Sequence, residues 1–255
     1  MSFEASLVVA TFIIVASIVA LMAVVQSRKR AAAEDDMKNA ASTRGWKFES
    51  LSEKGCRVHR WTGSTDGIPW TAESITQVSG GTHSRHRTHI ARWHGAWNPG
   101  INGAIVVMSV PKGKEHIATA MAQSDSFIAK MAQKAVSFAL DKAIDVYFGE
   151  GPGKEVDAGA MHRVDEQKVP GFIVMATDKE EGTRVLSQGL EKALLDASAN
   201  TSSVFSDEDR PSILLRPNAI SLARTAAYHD VAELDRFIRA GVSLTRAFKF
   251  GRVTS

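Results

Sequence analysis

The chain has 255 residues, of which 44% are hydrophobic and 23% charged, and its formal net charge is +3. This composition excludes a disordered polymer and a collagen-like repeat, and a single cysteine excludes an internal disulfide framework. The mean hydropathy of −0.11 also excludes a membrane protein with many apolar spans.

Residues 5–25 form an apolar run of 21 residues without a charged side chain. At about 1.5 Å per residue, a helix of this length reaches roughly 30 Å, the thickness of the hydrocarbon core of a bilayer. A cleaved signal peptide is the alternative, but its basic residues precede a shorter apolar core. Here the basic residues Arg28, Lys29 and Arg30 follow the run. We therefore expect residues 1–26 to form an N-terminal transmembrane anchor.

The same basic cluster predicts the orientation of the anchor. Lys and Arg residues that flank a span are retained on the cytoplasmic side. We therefore expect the N-terminus outside a bacterial inner membrane and the C-terminal domain in the cytoplasm. The lone Cys56 suits a reducing compartment. The expected partners are the lipid bilayer and other membrane proteins.

Residues 27–45 are rich in alanine and charged side chains, and no Pro or Gly interrupts them before Gly45. This pattern predicts a helix that continues from the anchor as a cytoplasmic stalk.

Residues 46–150 are predicted to form a Trp-rich, basic strand block followed by a long helix over 114–148. Asp66-Gly67 lies between two runs that carry aromatic residues, which predicts a tight hairpin turn. The polar, Gly-rich residues 77–88 are predicted to form a loop. The strands are expected from alternating or continuous apolar patterns at residues 46–50, 56–63, 68–76, 88–94 and 104–110.

Residues 151–255 are predicted to form a second block with the order strand, helix, hairpin, helix. Pro217-Asn218 is the expected turn of the hairpin, Asp230 the expected cap of the last helix and Gly241 its expected end. The elements are predicted at residues 172–176, 180–198, 212–216, 219–226 and 231–240. The whole chain is thus predicted to be α+β, with an N-terminal transmembrane helix and helical stalk followed by a mixed strand/helix cytoplasmic domain.

All five tryptophans lie between Trp46 and Trp97, in a part of the chain that is also basic. Residues 26–120 hold 14 Lys and Arg against 8 Asp and Glu. Trp partitions to the membrane interface and basic residues attract anionic headgroups, so this composition favours a membrane or partner surface. The alternative is that the tryptophans pair inside the sheet and the arginines are solvated. The residues of the predicted surface are Arg28, Lys29, Arg30, Trp61, Trp70, Arg92 and Trp93.

Nucleic acid is not an expected partner of this basic, aromatic part. Basic strands that carry aromatic residues can stack bases, but no recognisable nucleic-acid motif accompanies them here.

Four histidines lie within 12 residues: His83, His86, His89 and His94. Imidazole is a good ligand for zinc, copper and nickel, which raises a metal hypothesis. The cluster contains no Cys, Asp or Glu, and interleaved arginines would repel a cation. Strand alternation also predicts that His89 and His94 point to opposite faces. We expect no metal and no other cofactor, although the sequence alone does not decide what the cluster binds.

No catalytic residue is predicted from the sequence. The glycines and lysine at residues 149–154 lack the first Gly of a P-loop and the Ser or Thr after its Lys. The Gly-x-Ser-x-Gly, His-Glu-x-x-His and Cys-x-x-Cys motifs do not occur.

The N-terminal anchor is followed by a Trp-rich entry (RGWKF, RWTGSTDGIPW) and by the closing segments FIVMATDKEEGTRVLSQGLEKAL and SILLRPNAISLA. This layout resembles uncharacterised bacterial membrane-anchored families known as domains of unknown function, which lend no catalytic residues. We expect a non-enzymatic, single-pass membrane protein whose domain is an interaction or accessory module in a membrane assembly. Two alternatives stay open. One is a membrane-tethered, hydrolase-like enzyme with a site assembled from distant residues, and the other is an anionic-lipid-binding domain.

Overall fold

A computed structural model describes residues 3–53, 55–79, 86–96, 100–109, 140–149, 151–152, 155–164, 172–186, 211–228 and 230–250. The side chains of most residues between 3 and 20 lie outside this description. The helices in the described residues are α1 (Phe3–Thr43), α2 (140–148), α3 (Lys179–Val185) and α4 (Val231–Phe250). The strands are β1 (Lys47–Glu53), β2 (Cys56–Thr65), β3 (Ile68–Ser79), β4 (His86–Ala96), β5 (Ile105–Ser109), β6 (His162–Arg163), β7 (Phe172–Ala176), β8 (Ser212–Arg216) and β9 (Ala219–Arg224).

The nine strands form one sheet in the order β1-β2-β3-β4-β9-β8-β5-β7-β6, and all neighbours are antiparallel. β5 comes from the first predicted block, yet it lies between β8 and β7 of the second. The two blocks, 46–150 and 151–255, therefore contribute to one sheet. The predicted α+β class is confirmed.

The hairpin between β2 and β3 turns at Asp66-Gly67, as the sequence predicts. Asp66 has φ 54° and Gly67 has φ 76°, the positive values of a type I′ turn. The loop predicted at 77–88 is wrong at both ends, because β3 continues to Ser79 and β4 begins at His86. Val78, Thr88 and their neighbours have side chains that suit a strand, and their pairing extends the ladder into a polar segment.

One face of the sheet, which we call the front face, is covered by α4 and the end of α1. Its core contains Trp61, Trp93 and Leu222 from the strands and Leu234 and Phe237 from α4. Because side chains alternate along each strand, every second residue of β2, β3 and β4 reaches this core.

The opposite face, the back face, packs against α2. Val106, Leu214 and Ala223 of the sheet contact a cluster that includes Ile144 and Phe148 of this helix. β5 is buried on both faces, as predicted from its apolar sequence. α2 ends at Gly149, whose φ of 92° suits a helix C-terminus, and the rest of the helix predicted over 114–148 lies outside the described residues.

The last helix begins as predicted and ends later. The Glu233 backbone N–H donates to Asp230 Oδ1 over 2.8 Å, which confirms the cap. The predicted end at Gly241 is wrong, since α4 runs to Phe250. Gly241 lies against the Trp93 ring, so its missing side chain serves packing rather than termination. The helix predicted over 180–198 is described as α3 from Lys179 to Val185, and residues 187–198 lie outside the description.

α1 is one helix of 41 residues that includes the predicted stalk. It ends in a Schellman motif, in which the Trp46 N–H donates to the Ala41 carbonyl and the Gly45 N–H to the Ser42 carbonyl. Met37 and Ala41 near this end are buried in the front-face core. Within the part of the chain that is described, no helix combines the length and apolarity needed to cross a membrane. The expected anchor, residues 5–25, falls largely on side chains outside the description.

Candidate functional site

The structure buries the three tryptophans of the predicted surface. Trp61 and Trp93 are 0% exposed and Trp70 is 3% exposed. The Cα register pairs Trp61 with Ala72 and Gly63 with Trp70, so Trp61 and Trp70 are diagonal neighbours on the front face. Burial of these side chains disagrees with the prediction that they meet a membrane or partner, because α4 and the end of α1 cover that face. The alternative holds in part, since the tryptophans pack inside the fold but Arg92 is mostly buried rather than solvated.

Arg92 of the predicted surface has a structural role. Its guanidinium donates to the Tyr147 carbonyl and to the Val146 carbonyl, each over 2.7 Å. These carbonyls lie at the end of α2, where backbone acceptors have no partner within the helix. Arg92 therefore caps α2 and holds it on the back face. The side chains of Arg28 and Lys29 are exposed on α1, and that of Arg30 lies outside the description.

The histidine cluster is divided between the two faces, as predicted for His89 and His94. His94 Nδ1 lies 2.8 Å from Ser221 Oγ on the back face, and burial lowers the pKa of His94 from 6.5 to about 4. His89 Nδ1 lies 3.0 Å from Thr76 Oγ1 on the front face. His83 lies outside the described residues, among which no group of three or more His, Cys, Asp or Glu could hold a metal ion.

A cavity of about 180 Å³ lies on the front face between α1, strands β2 to β4 and residues 227–228. This volume is smaller than that of the pockets that take drug-sized ligands. One wall is mainly apolar or aromatic and the other is polar. The lining residues are Ala33, Glu34, Met37, Arg57, His59, Ser74, Thr76, His89, Ala227 and Tyr228.

The two charged side chains of the cavity have opposite signs. Glu34 Oε2 lies 3.9 Å from Arg57 Nη1 and 3.8 Å from His59 Nε2. Both distances exceed that of a hydrogen bond, so the three groups are close but loosely held. The side chains of Glu34 and Arg57 are 33% and 57% exposed, which leaves them room to move.

His59 packs against aromatic residues at the cavity. Its ring centroid lies 5.7 Å from that of Phe48 and 6.1 Å from that of Trp61. Burial lowers the pKa of His59, and this effect exceeds the opposing attraction of Glu34, so the imidazole is neutral at pH 7. Within the described residues Nε2 is buried and has no hydrogen-bond partner. Such an atom carries an uncompensated desolvation cost.

Tyr228 also lines the cavity. Its ring centroid lies 5.7 Å from that of Trp61, and its hydroxyl donates to the Arg92 carbonyl over 3.5 Å. Burial raises the pKa of Tyr228 well above 10, so the side chain stays a neutral phenol.

A second polar cluster lies on the back face and holds strands together. Arg60 Nε donates to Glu73 Oε1 over 2.8 Å, and Arg92 Nη1 lies 3.8 Å from Glu73 Oε2. Glu73 is buried, and the two arginines compensate its charge. Glu49 Oε2 lies 3.8 Å from Arg60 Nη1 and extends the cluster to β1.

The cavity suits binding better than activation of a nucleophile. Glu34, His59 and Ser74 are residue types of an acyl-transfer triad, and His59 and Ser74 are cross-strand partners. However, Glu34 and His59 are not hydrogen-bonded. In a catalytic triad, the histidine is hydrogen-bonded to the nucleophile and is oriented by a hydrogen bond to the carboxylate.

The sequence reasoning missed this cavity because its residues come from five separate segments. A local signal existed. On β2 the polar Arg57 and His59 share a face with Trp61, and on β3 Ser74 and Thr76 share it with Trp70. When the residues on one face of a strand change from apolar to polar, the hydrophobic core ends at that point. The polar side chains beyond it can line a cavity.

Comparison with known proteins does not assign the chain to a family. No protein-family model matches the chain, and searches of curated proteins and of solved structures found no match.

Proposed function

We propose that the chain is a single-pass membrane protein whose α+β domain is an interaction or accessory module at the inner face of a bacterial membrane. The observation that carries this proposal is the continuity of α1, which includes the apolar run at residues 5–25 and ends against the front-face core. Leu21 and Met22 are 65% and 62% exposed on this helix. A row of exposed apolar side chains needs a lipid or protein environment.

The spacing along α1 agrees with this arrangement. Residue 25 ends the apolar run, and Met37 is the first buried residue of the docked part, about 18 Å further along the helix. Arg28 and Lys29 lie between them, at the level where headgroups meet a span. The anionic-lipid alternative now depends on this basic cluster, because Trp61, Trp70 and Trp93 are buried.

The edge strand β1 supports the role in interaction. Within the described residues β1 pairs only with β2, so its outer edge presents seven residues of backbone to a partner strand. Leu51 on this strand is 45% exposed. Lys47 and Glu49 add charge to the edge, which disfavours unspecific pairing.

The orientation is tested with single cysteines in a Cys56→Ser background. We expect a membrane-impermeant maleimide to label Ser2→Cys in bacterial spheroplasts, whose outer membrane has been removed and whose inner membrane is intact. Asp141→Cys, which is at an exposed position, should be labelled only after the inner membrane is permeabilised. Labelling of Asp141→Cys while the inner membrane is intact would contradict the proposed orientation.

The interaction role is tested by affinity purification from gently solubilised membranes. We expect the same membrane proteins to co-purify with the unmodified chain and with Ser52→Asp, and to be lost with Leu51→Asp. Both substitutions add one charge to exposed positions of β1. A chain that is always recovered alone would contradict the assembly.

A membrane-tethered hydrolase is a second candidate, favoured by the presence of Glu34, His59 and Ser74 in one cavity. It predicts that a fluorophosphonate probe labels the chain and that Ser74→Ala abolishes the labelling, whereas Ser50→Ala does not. Labelling that is absent, or that survives Ser74→Ala, would exclude a Ser74 nucleophile.

A further inference from the structure

We propose that the front-face cavity binds a small zwitterion, a molecule with one ammonium and one carboxylate group, of the class of free amino acids with short side chains. This inference goes beyond the proposed membrane module and does not depend on it. Three features of the cavity support it: the charges of its lining, the unsatisfied polar atom and its size.

The charge balance of the lining selects the ligand class. Glu34 and Arg57 provide one negative and one positive group, and the buried His59 is neutral at pH 7. A simple anion would be repelled by Glu34 and a simple cation by Arg57. A zwitterion offers each of them an opposite charge.

The ion pair at the cavity can be exchanged for the ligand. Glu34 Oε2 and Arg57 Nη1 are 3.9 Å apart and both side chains are partly exposed, so their direct interaction is weak. A ligand ammonium next to Glu34 and a carboxylate next to Arg57 would form shorter, charge-assisted hydrogen bonds.

The interior of the cavity holds a group that lacks a partner. His59 Nε2 is buried without a hydrogen bond among the described residues. Glu34 Oε2 lies 3.8 Å from this atom and 3.9 Å from Arg57 Nη1. A ligand carboxylate that takes the place of Glu34 between Arg57 and His59 can accept a hydrogen bond from the tautomer that carries a proton on Nε2. The ligand would thus satisfy an atom whose desolvation is otherwise uncompensated.

The remaining walls suit a small ligand with an apolar part. Met37 and Tyr228 provide apolar and aromatic surface, and the volume is about 180 Å³. This space is large enough for an amino acid with a short side chain, whose apolar part would face Met37 and Tyr228.

Binding would also connect two parts of the molecule. Glu34 belongs to α1 and Arg57 to β2, so a ligand held by both would fasten the helix to the sheet. We therefore expect hydrogen exchange of the backbone amides at residues 33–37 to slow when the ligand is bound.

The experiment is calorimetric titration of the full chain in a mild detergent with the twenty free L-amino acids, acetate and methylammonium as probes. We expect saturable binding of at least one amino acid with a short side chain, and at least about tenfold weaker binding of acetate and methylammonium. Glu34→Gln and Arg57→Gln should each weaken amino-acid binding by about tenfold or more.

The matched controls are Asp36→Asn on α1 and Arg87→Gln on β4, which remove a charge from exposed positions outside the cavity lining. Both variants should bind the amino acid with the same affinity as the unmodified chain. The proposal is overturned if no amino acid binds, if acetate or methylammonium binds as tightly, or if Glu34→Gln and Arg57→Gln bind normally. Should a variant fail to fold, the comparison of probes on the unmodified chain decides.

Discussion

At the scale of residues, glycines determine how the tryptophans fit into the front-face core. A Cβ added at Gly241 would overlap the Trp93 ring, and one added at Gly63 would lie 2.7 Å from the Trp70 ring. The sequence places Gly241 at a predicted helix end, because glycine favours that position. Its actual role depends on Trp93, far away in sequence, and no local pattern reveals it.

We expect Gly241→Ala to lower the free energy of unfolding by about 1–3 kcal/mol, because the added methyl group overpacks the Trp93 contact. Helix propensity alone predicts the opposite change in stability, because it favours Ala over Gly in a helix by about 1 kcal/mol. Urea unfolding of the full chain in detergent measures the change. Ser243→Ala, at an exposed position of α4, is the control and should shift stability by less than about 0.5 kcal/mol. A Gly241→Ala chain as stable as this control would contradict the packing account.

His94 should make stability depend on pH. Burial lowers its folded-state pKa to about 4, below the ordinary 6.5. Between these values the unfolded chain binds the proton and the folded chain does not, so stability is complete above pH 6.5 and is lost as the pH falls toward 4. The full loss from this group, reached below pH 4, is about 3 kcal/mol.

Unfolding at pH 7.5 and at pH 5 measures this dependence. His94→Gln removes the titrating group and keeps a hydrogen-bonding side chain opposite Ser221, so we expect a smaller loss of stability between the two pH values. An unchanged pH dependence in His94→Gln would show that other groups cause it.

At the scale of elements, turns and caps were predictable because their signals are local. The turns at Asp66-Gly67 and Pro217-Asn218 and the cap at Asp230 all depend on neighbouring residues. The extension of β3 and β4 into residues 77–88 was not predictable, since cross-strand pairing stabilises a segment that is polar by itself. The cavity was missed for the same reason, because its walls come from segments distant in sequence.

In the proposed arrangement, the docked end of α1 is the element that joins the anchor to the domain. Met37 is 7% exposed in the front-face core. We expect Met37→Ala to lower the free energy of unfolding by about 2–5 kcal/mol and to speed hydrogen exchange at residues 33–43. Lys38→Ala, at the neighbouring exposed position, should change neither quantity. Normal exchange in Met37→Ala would contradict a docked helix end.

At the scale of the whole molecule, the sequence predicts the α+β class and eight of the nine strands, but neither β6 nor the order of the strands. Residues 46–150 and 151–255 read as consecutive blocks, yet β5 is inserted between β8 and β7. Long-range pairing decides this order, and the pattern of one strand does not encode its neighbours. Part of the basic charge of residues 26–120 lies between strands, where Arg60 and Arg92 compensate Glu73.

The central claim is that residues 5–25 anchor the domain in a membrane, and extraction of membranes with alkaline carbonate tests it most directly. The account predicts that the unmodified chain and the control Ile14→Leu/Ile18→Leu stay in the membrane pellet. Ile14→Lys/Ile18→Lys should move to the supernatant, because each lysine near the centre of a span opposes insertion by about 2.5–3.5 kcal/mol. Release of the unmodified chain by carbonate, or retention of the lysine variant, would contradict the anchor.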